Sequence, residues 1–456
     1  MASATWSLTL RSLGVAALLL VAASGVAQAA GWKAGVAKEN ITPEKPMWMS
    51  GYAARNHPAE GKLTDLWAKA LVIEDPQGHR VALVTMDLVG IDRDVSLAVR
   101  DGIESKYGLK RADVALNVSH THCGPVVGRN LMPIYSLDDV QLQLVRDYTR
   151  QLEQKLIAVV GAALAKSAPC ELSWGNGHAD FAVNRRNNKE ADVPALREKQ
   201  ELKGPFDHDV PVLAVKDAEG KLMAVAVGYA CHSTTLGFYQ WCGDYPGFAT
   251  AELEKNHPGA LALFWAGCGA DQNPLPRKTV ELAESYGHRL AVAVDEVLAR
   301  PMNRLSGNLT TSYAEVDLPL AALPSREELE SRRASKNKYE VSRANMLLAQ
   351  IDAGKPLSQT YPYPVQVWHL GPELRWAFLG GEVVVDFALR LKQELGPGTT
   401  WVAGYSNDVM AYIPSRRVLL EGGYEGATAM IYYGLPTSWA PEVEEVIVKQ
   451  VHQLAK

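Results

Sequence analysis

Cysteine is scarce in this chain. Five in 456 residues (Cys123, Cys170, Cys231, Cys242 and Cys268) are too few for a disulfide scaffold, and an odd number leaves at least one unpaired in a monomer. No Cys-x-x-Cys pair occurs. An oxidising compartment would still allow a bridge such as Cys231 to Cys242. An excess of one charge is missing too: 46 basic against 51 acidic side chains give a formal charge of −5, without a basic block. That balance argues against a nucleic-acid partner. Beyond residue 30 no apolar run approaches the ~20 residues a membrane helix needs. Internal repeats and low-complexity linkers are also absent.

What is present begins with a leader. Residues 1–30 carry Arg11, an apolar run over 13–21 and the small residues Ala27-Gln28-Ala29, the pattern of a secretory signal peptide cut near Ala29 or Ala30. The mature chain, 31–456, is therefore expected to be secreted or periplasmic. Its 47% hydrophobic content suits a large globular core.

Strand-like and helix-like segments alternate along it. Apolar runs at 66–75 and 80–91 read as neighbouring strands around Pro76-Gln77-Gly78, and 211–232 reads as a hairpin around Asp217-Ala218-Glu219-Gly220. A stripe through Leu142, Val145, Leu152, Leu156, Val159 and Ala163 predicts a helix over 139–166. Ser325 and Glu328 form a capping box ahead of a charged helix. A proline-rich loop at 355–364 precedes a hairpin at 365–382, a strand follows near 399–406, and a helix closes the chain at 441–454. The polar stretch 185–207 reads as a flexible insertion. Hairpins together with strand-helix alternation predict one large α/β domain, 31–456, with mixed β-sheets flanked by helices.

Polar residues stand where apolar strands run out: His120 and His122 in "NVSHTHCGP", His232 after "MAVAVGYAC", and Glu382 after "RWAFLGG". Read as a strand, 112–122 would place His120 and His122 side by side on one face. A zinc hydrolase needs such nitrogen and oxygen ligands on rigid elements, with an open position for water. Taken singly, His232 reads more readily as a hydrogen-bonded structural or surface histidine, and Glu382 can simply favour a helix N-terminus. Two other chemistries fit the same residues: a cysteine hydrolase pairing Cys123 with His122, and a non-catalytic secreted protein holding its metal in a closed site.

"NVSHTHCGP" resembles the His-Thr-His-Ser-Gly-Pro motif of the neutral ceramidases, secreted zinc amidases that cleave the N-acyl bond of ceramide. The resemblance continues in order through "KAGVAKENITP", "MSGYAAR", "VTMDLVGI", "VNRR", "ACHSTTLG", "GDYPGFA", "GGEVVVDF", "GYSNDVMAYIPS" and "GGYEGATAMIYYG". It implies that family's catalytic-domain fold, with zinc held by His120, His232, Glu382 and Tyr412. It also implies His122 as proton shuttle and Arg185 with Tyr424 beside the scissile amide. A small-molecule or lipid amide is the implied substrate, which leaves room for peripheral membrane contact; no oligomeric state follows.

Three departures qualify the resemblance. The family's Gly-Asp-x-Ser-Pro-Asn loop appears here as "GCGADQNPLP", with Gln272 where the serine falls. That favours a water activated by zinc as the attacking group, with Asp271 and Gln272 expected to orient the water or the substrate amide. Cys123 replaces the motif's serine and reads as a small packed residue. The chain ends soon after the Tyr424 region, so the family's C-terminal immunoglobulin-like domain is not expected. A zinc hydrolase of a non-lipid amide or an ester remains the alternative. Trp48 and Met49 are candidate walls of an acyl groove.

Overall fold

Along Arg80–Met86, Val81 and Leu83 belong to one apolar cluster while Ala82 and Val84 belong to another. That alternation is what a strand buried on both faces produces. The computed structural model describes residues 1–5 and 31–456. The body of the expected signal peptide, with Arg11, the 13–21 run and Ala27-Gln28-Ala29, lies outside the described residues.

The larger sheet has nine strands. Eight follow one another in the spatial order Leu261–Ala266, Leu222–Tyr229, Asp209–Asp217, Ala168–His178, Lys33–Asn40, Trp67–Glu74, Arg80–Met86 and Val114–Val118. The outermost pair at each end is parallel and the other pairs are antiparallel. A second sheet of four strands runs Leu309–Pro319, Thr360–Leu370, Leu374–Leu379, Thr400–Ala403.

The two sheets pack on each other through a tryptophan-rich core. Trp174 and Trp265 of the first meet Trp376 and Trp401 of the second, with the Trp265 and Trp376 ring centroids 5.1 Å apart. Helices cover the remaining faces: Asp139–Ala165, Asp244–Asn256 and Val280–Leu298 on the larger sheet, Val385–Leu395 and Val443–Leu454 on the smaller. The architecture is the expected mixed α/β one.

Three local expectations are corrected. The strand expected through His122 stops at Val118, so strand alternation does not pair the two histidines. The proline-rich segment lies partly in a strand, Thr360–Leu370. Residues 360–364 pair only with Leu309–Pro319, since pairing to Leu374–Leu379 begins at Val365. Pro362 and Pro364 therefore sit on a one-sided stretch, where a missing N–H is tolerated. The polar stretch 185–207 is pinned rather than loose: the Asn188 amide donates to the carbonyls of Asn184 (2.8 Å) and Lys203 (2.7 Å). All five cysteines are free, Cys231 and Cys242 included.

Candidate active site

Several strand ends converge at one place, and Asn117 fastens three of them. Its amide Nδ2 donates to the Gly404 carbonyl (2.8 Å), and its Oδ1 accepts from the Ala266 N–H (2.9 Å). The chain then leaves the sheet through His120, whose φ of +59° is a left-handed conformation that side chains other than glycine rarely adopt. This turn, rather than strand alternation, brings His120 and His122 together with ring centroids 4.9 Å apart. His232 follows Leu222–Tyr229. Glu382 and Tyr412 lie directly opposite each other on two short parallel strands.

Hydrogen bonding fixes the tautomers of two of the rings. His120 Nδ1 faces the Val89 carbonyl (2.5 Å) and His232 Nδ1 faces the Gly269 carbonyl (2.8 Å). A carbonyl only accepts, so both Nδ1 atoms carry the hydrogen and both Nε2 atoms present lone pairs. Those lone pairs point at Glu382 Oε2, at 3.2 Å from His120 and 3.1 Å from His232. That oxygen is buried and receives no hydrogen bond. Its partner Oε1 accepts from the Tyr433 hydroxyl. Tyr412 Oη stands 3.4 Å from His232 Nε2. Two imidazole lone pairs meeting a carboxylate oxygen, with a phenol beside them, is the chemistry of a cation site. Donor spacings of 3.1 to 3.4 Å also match the roughly 3.3 Å between neighbouring ligands of a tetrahedral zinc.

His122 differs from the other two. It belongs to the same trio, whose ligand atoms lie within 4.8 Å of one another, and its Nε2 is 3.2 Å from that of His120. Its buried Nδ1, however, has no hydrogen-bond partner among the described residues, so no backbone carbonyl holds this ring as one holds each of the other two. Metal-bound imidazoles nearly always have the second nitrogen held. A ring free to gain or lose its hydrogen is suited to moving protons instead. Burial takes His122 well below its ordinary pKa, reinforced by His120 and His232. Burial likewise brings His232 down to about 4, with Arg185 adding to the effect. Both rings are neutral near pH 7.

Gly51 packs against His122. Its φ is +96°, and a Cβ there would lie 2.5 Å from the His122 ring. Gly51→Ala is expected to push the ring aside and to cost about 1–3 kcal/mol in backbone strain. Steady-state kinetics beside metal analysis checks this: the prediction is a fall in kcat with metal content unchanged.

Above the cluster opens a cavity of about 930 Å³, lined by His122, His232, Tyr412, Arg185, Tyr424 and Asn273 among others. Arg185 spans its wall, donating from Nη2 to Tyr412 Oη (3.0 Å), from Nη1 to Asn273 Oδ1 (3.2 Å) and from Nε to Glu425 Oε1 (2.7 Å). Tyr424 is 44% exposed, with its ring 5.2 Å from that of Tyr412 and 5.7 Å from the Arg185 guanidinium.

Asp271 and Gln272 are placed otherwise than expected. Both are completely buried, and neither lines the cavity. Asp271 accepts from the Val385 N–H and the Asn184 amide (both 3.0 Å), while the Gln272 amide donates to the Pro205 carbonyl (3.2 Å). Their backbone carbonyls receive the N–H groups of Arg185 and His232, so they position those residues from behind. Trp48 and Met49 are core residues, and Gly51 and Tyr52 take the cavity wall. Cys123 is fully buried and does not line the cavity, and burial pushes its thiol well up. A thiol held protonated is a poor nucleophile.

Sequence reasoning missed Glu425, Asn273, Tyr433 and Asn117. Each lies inside a run that carried the resemblance or directly abuts a named residue, but only contact geometry gives it a task.

Residues 32–264 match the family described as neutral/alkaline non-lysosomal ceramidase, N-terminal. The neutral ceramidase of Drosophila pseudoobscura pseudoobscura is 28% identical over 274 residues, 56% of this chain and 38% of that protein. Neutral ceramidase 1 of Arabidopsis thaliana is 26% identical over 303 residues, 64% of this chain and 38% of that protein. The chain thus spans 38% of the length of these curated relatives. In fold it is similar to the crystal structure of neutral ceramidase from Pseudomonas aeruginosa, with a TM-score of 0.72 at 21% identity over 93% of this chain and 74% of that one. Since the family pattern runs through half of the chain and across His120, His122, Arg185 and His232, this protein belongs to the neutral/alkaline non-lysosomal ceramidase family.

Proposed function

We propose that the chain is a zinc-dependent hydrolase of a linear amide, ceramidase-like in its chemistry and working outside the cytoplasm. The observation that carries this is the set of fixed tautomers: two Nε2 lone pairs and a hydrogen-free carboxylate oxygen meet beneath an open cavity. His120, His232, Glu382 and Tyr412 would hold the ion. Zinc bound there would polarise a carbonyl and lower the pKa of water towards ~7. The leader pattern at 1–30 supports export.

The chain's own groups then have separable tasks. His122, neutral and with its Nδ1 unpartnered, accepts the proton of the attacking water and returns it to the leaving amine. Arg185 and Tyr424 line the cavity beside Tyr412, where a developing oxyanion needs donors. Glu425 and Asn273 keep the guanidinium aimed, which spares reorganisation during reaction. With Gln272 turned away, nothing replaces the family's serine at that position, and water is the attacking group. A closed structural metal site is disfavoured by the cavity above the donors.

Metal analysis tests the ligand set. Purified protein should carry about one zinc per chain, and Glu382→Gln, which swaps a carboxylate oxygen for a neutral amide, should lose it. Full zinc content in that variant would remove Glu382 from the set.

A further inference from the structure

A second cleft, of about 480 Å³, adjoins the cavity and shares Tyr52, Thr234 and Arg277 with it. Tyr52 forms the partition, its ring 4.6 Å from His122 on one side and 5.0 Å from the Arg55 guanidinium on the other. The cleft is otherwise walled by Ala54, Leu236, Phe238 and Tyr239.

Arg55 is the anomaly here. It is 6% exposed, yet no carboxylate lies within ion-pair distance of it among the described residues. Its guanidinium donates to the Ser50 and Phe238 carbonyls, while its Nε has no partner. The Cys123 thiol beside it is kept neutral by burial. Asp244, behind the same wall, accepts the Leu236 (2.9 Å) and Tyr245 (2.6 Å) N–H groups instead. The Tyr52 and Tyr239 rings lie over the guanidinium, at 5.0 and 5.8 Å, but no anion balances its charge, and a buried cation is disfavoured without one. Two further cations stand at the cleft. Arg277 is shared with Glu190 (3.0 Å), whereas Lys278 makes no ion pair among the described residues. Lys278 is also held at φ +91°, a strained conformation for a lysine. Among the described residues no acidic side chain lines the cleft.

We propose that this cleft seats a carboxylate carried by the substrate: an N-acylated amino acid whose amide lies over His122 and whose acid group pairs with Arg55, Arg277 and Lys278. Ceramide has no such group, so the substrate class differs from that of the relatives' printed name. The inference rests on the amide-hydrolase proposal only for turnover; the binding preference stands on the cleft itself.

The test uses two probes with one acyl chain, N-octanoylglycine and its neutral isostere N-octanoylglycinamide, titrated calorimetrically into the full protein. The carboxylate is expected to bind at least tenfold more tightly. Arg277→Gln combined with Lys278→Gly, the latter also relieving the positive φ, should remove most of that preference. Arg55→Met should remove it too, with a thermal melt to establish that the variant folds. Equal affinities, or a preference that survives the Arg277/Lys278 pair and a folded Arg55→Met, overturn the inference. Turnover of the same two compounds separates the two proposals. Equal kcat/KM on both keeps the hydrolase and rejects the cleft's role. Carboxylate-selective binding without cleavage of either compound supports the cleft and counts against the hydrolase.

Discussion

His120→Ala is expected to remove zinc and turnover together, whereas His122→Ala is expected to keep the zinc and to lose about 10²–10⁴-fold in kcat. The contrast follows from the two rings' different surroundings. His120 has its Nδ1 hydrogen fixed on Val89 and its Nε2 lone pair aimed at the Glu382 oxygen, so deleting it takes away a ligand. His122 has no such anchor, and deleting it takes away a base. The pH profile of the native protein's activity is expected to carry the same signature. Burial lowers His122 below its ordinary 6.5, so its proton-accepting form persists at neutral pH and is lost as pH falls through the lowered value. Activity should therefore hold down to pH 6.5 and decline only below it. Metal analysis with single-turnover kinetics on both variants checks the pair; a His122→Ala protein devoid of zinc would make that ring a ligand instead.

Glu425→Ala is expected to lower the unfolding free energy by about 3–5 kcal/mol and to depress kcat at the same time. The carboxylate is buried and serves two guanidinium groups, Arg185 Nε and Arg186 Nη1, each at 2.7 Å. Truncation leaves the Arg185 charge uncompensated beside Tyr412 and frees it to swing from the cavity wall. The sign of the pH dependence is fixed. Burial raises the Glu425 pKa, but Arg185 more than reverses this, so the folded pKa lies below its ordinary 4.5. The stabilisation is complete above pH 4.5 and disappears as pH falls through the lowered value, where native and variant proteins should converge. Urea melts at pH 7 and pH 3.5 would read this directly, and a constant gap between them would contradict the assignment.

Much of the fold was legible because period-2 and period-3.6 patterns are local. The 209–217 and 222–229 hairpin and the long helix Asp139–Ala165 follow from turn residues and an apolar stripe alone. The misjudged segments are those where a partner decides. Two prolines enter a strand because only one edge is paired. A polar stretch at 185–207 is held by long-range contacts, among them the Asn188 amide, the Gln272 amide on the Pro205 carbonyl and Glu425 on Arg185 and Arg186.

The site divides in the same way. His120, His122, His232 and Glu382 could be suspected from their places at strand ends, whereas Tyr412, Tyr424 and Arg185 came only from the family resemblance. Gln272 shows the limit of aligning by sequence: its position fits the family loop, but its side chain points into the protein. Glu425 and Asn273 gain their significance from Arg185, a contact spanning 240 residues in the first case, beyond any local pattern.

The central claim is an amide hydrolase that works through a zinc held at His120, His232, Glu382 and Tyr412. Its most direct test is turnover of a panel of N-acyl amides, a fluorogenic N-acyl sphingosine and N-octanoylglycine among them, by purified protein of known metal content. The same preparation is then assayed after chelation and again after zinc is restored. The account predicts cleavage of at least one amide, lost with the chelator and regained with zinc in proportion to the zinc bound. Cleavage that persists in metal-free protein would contradict it.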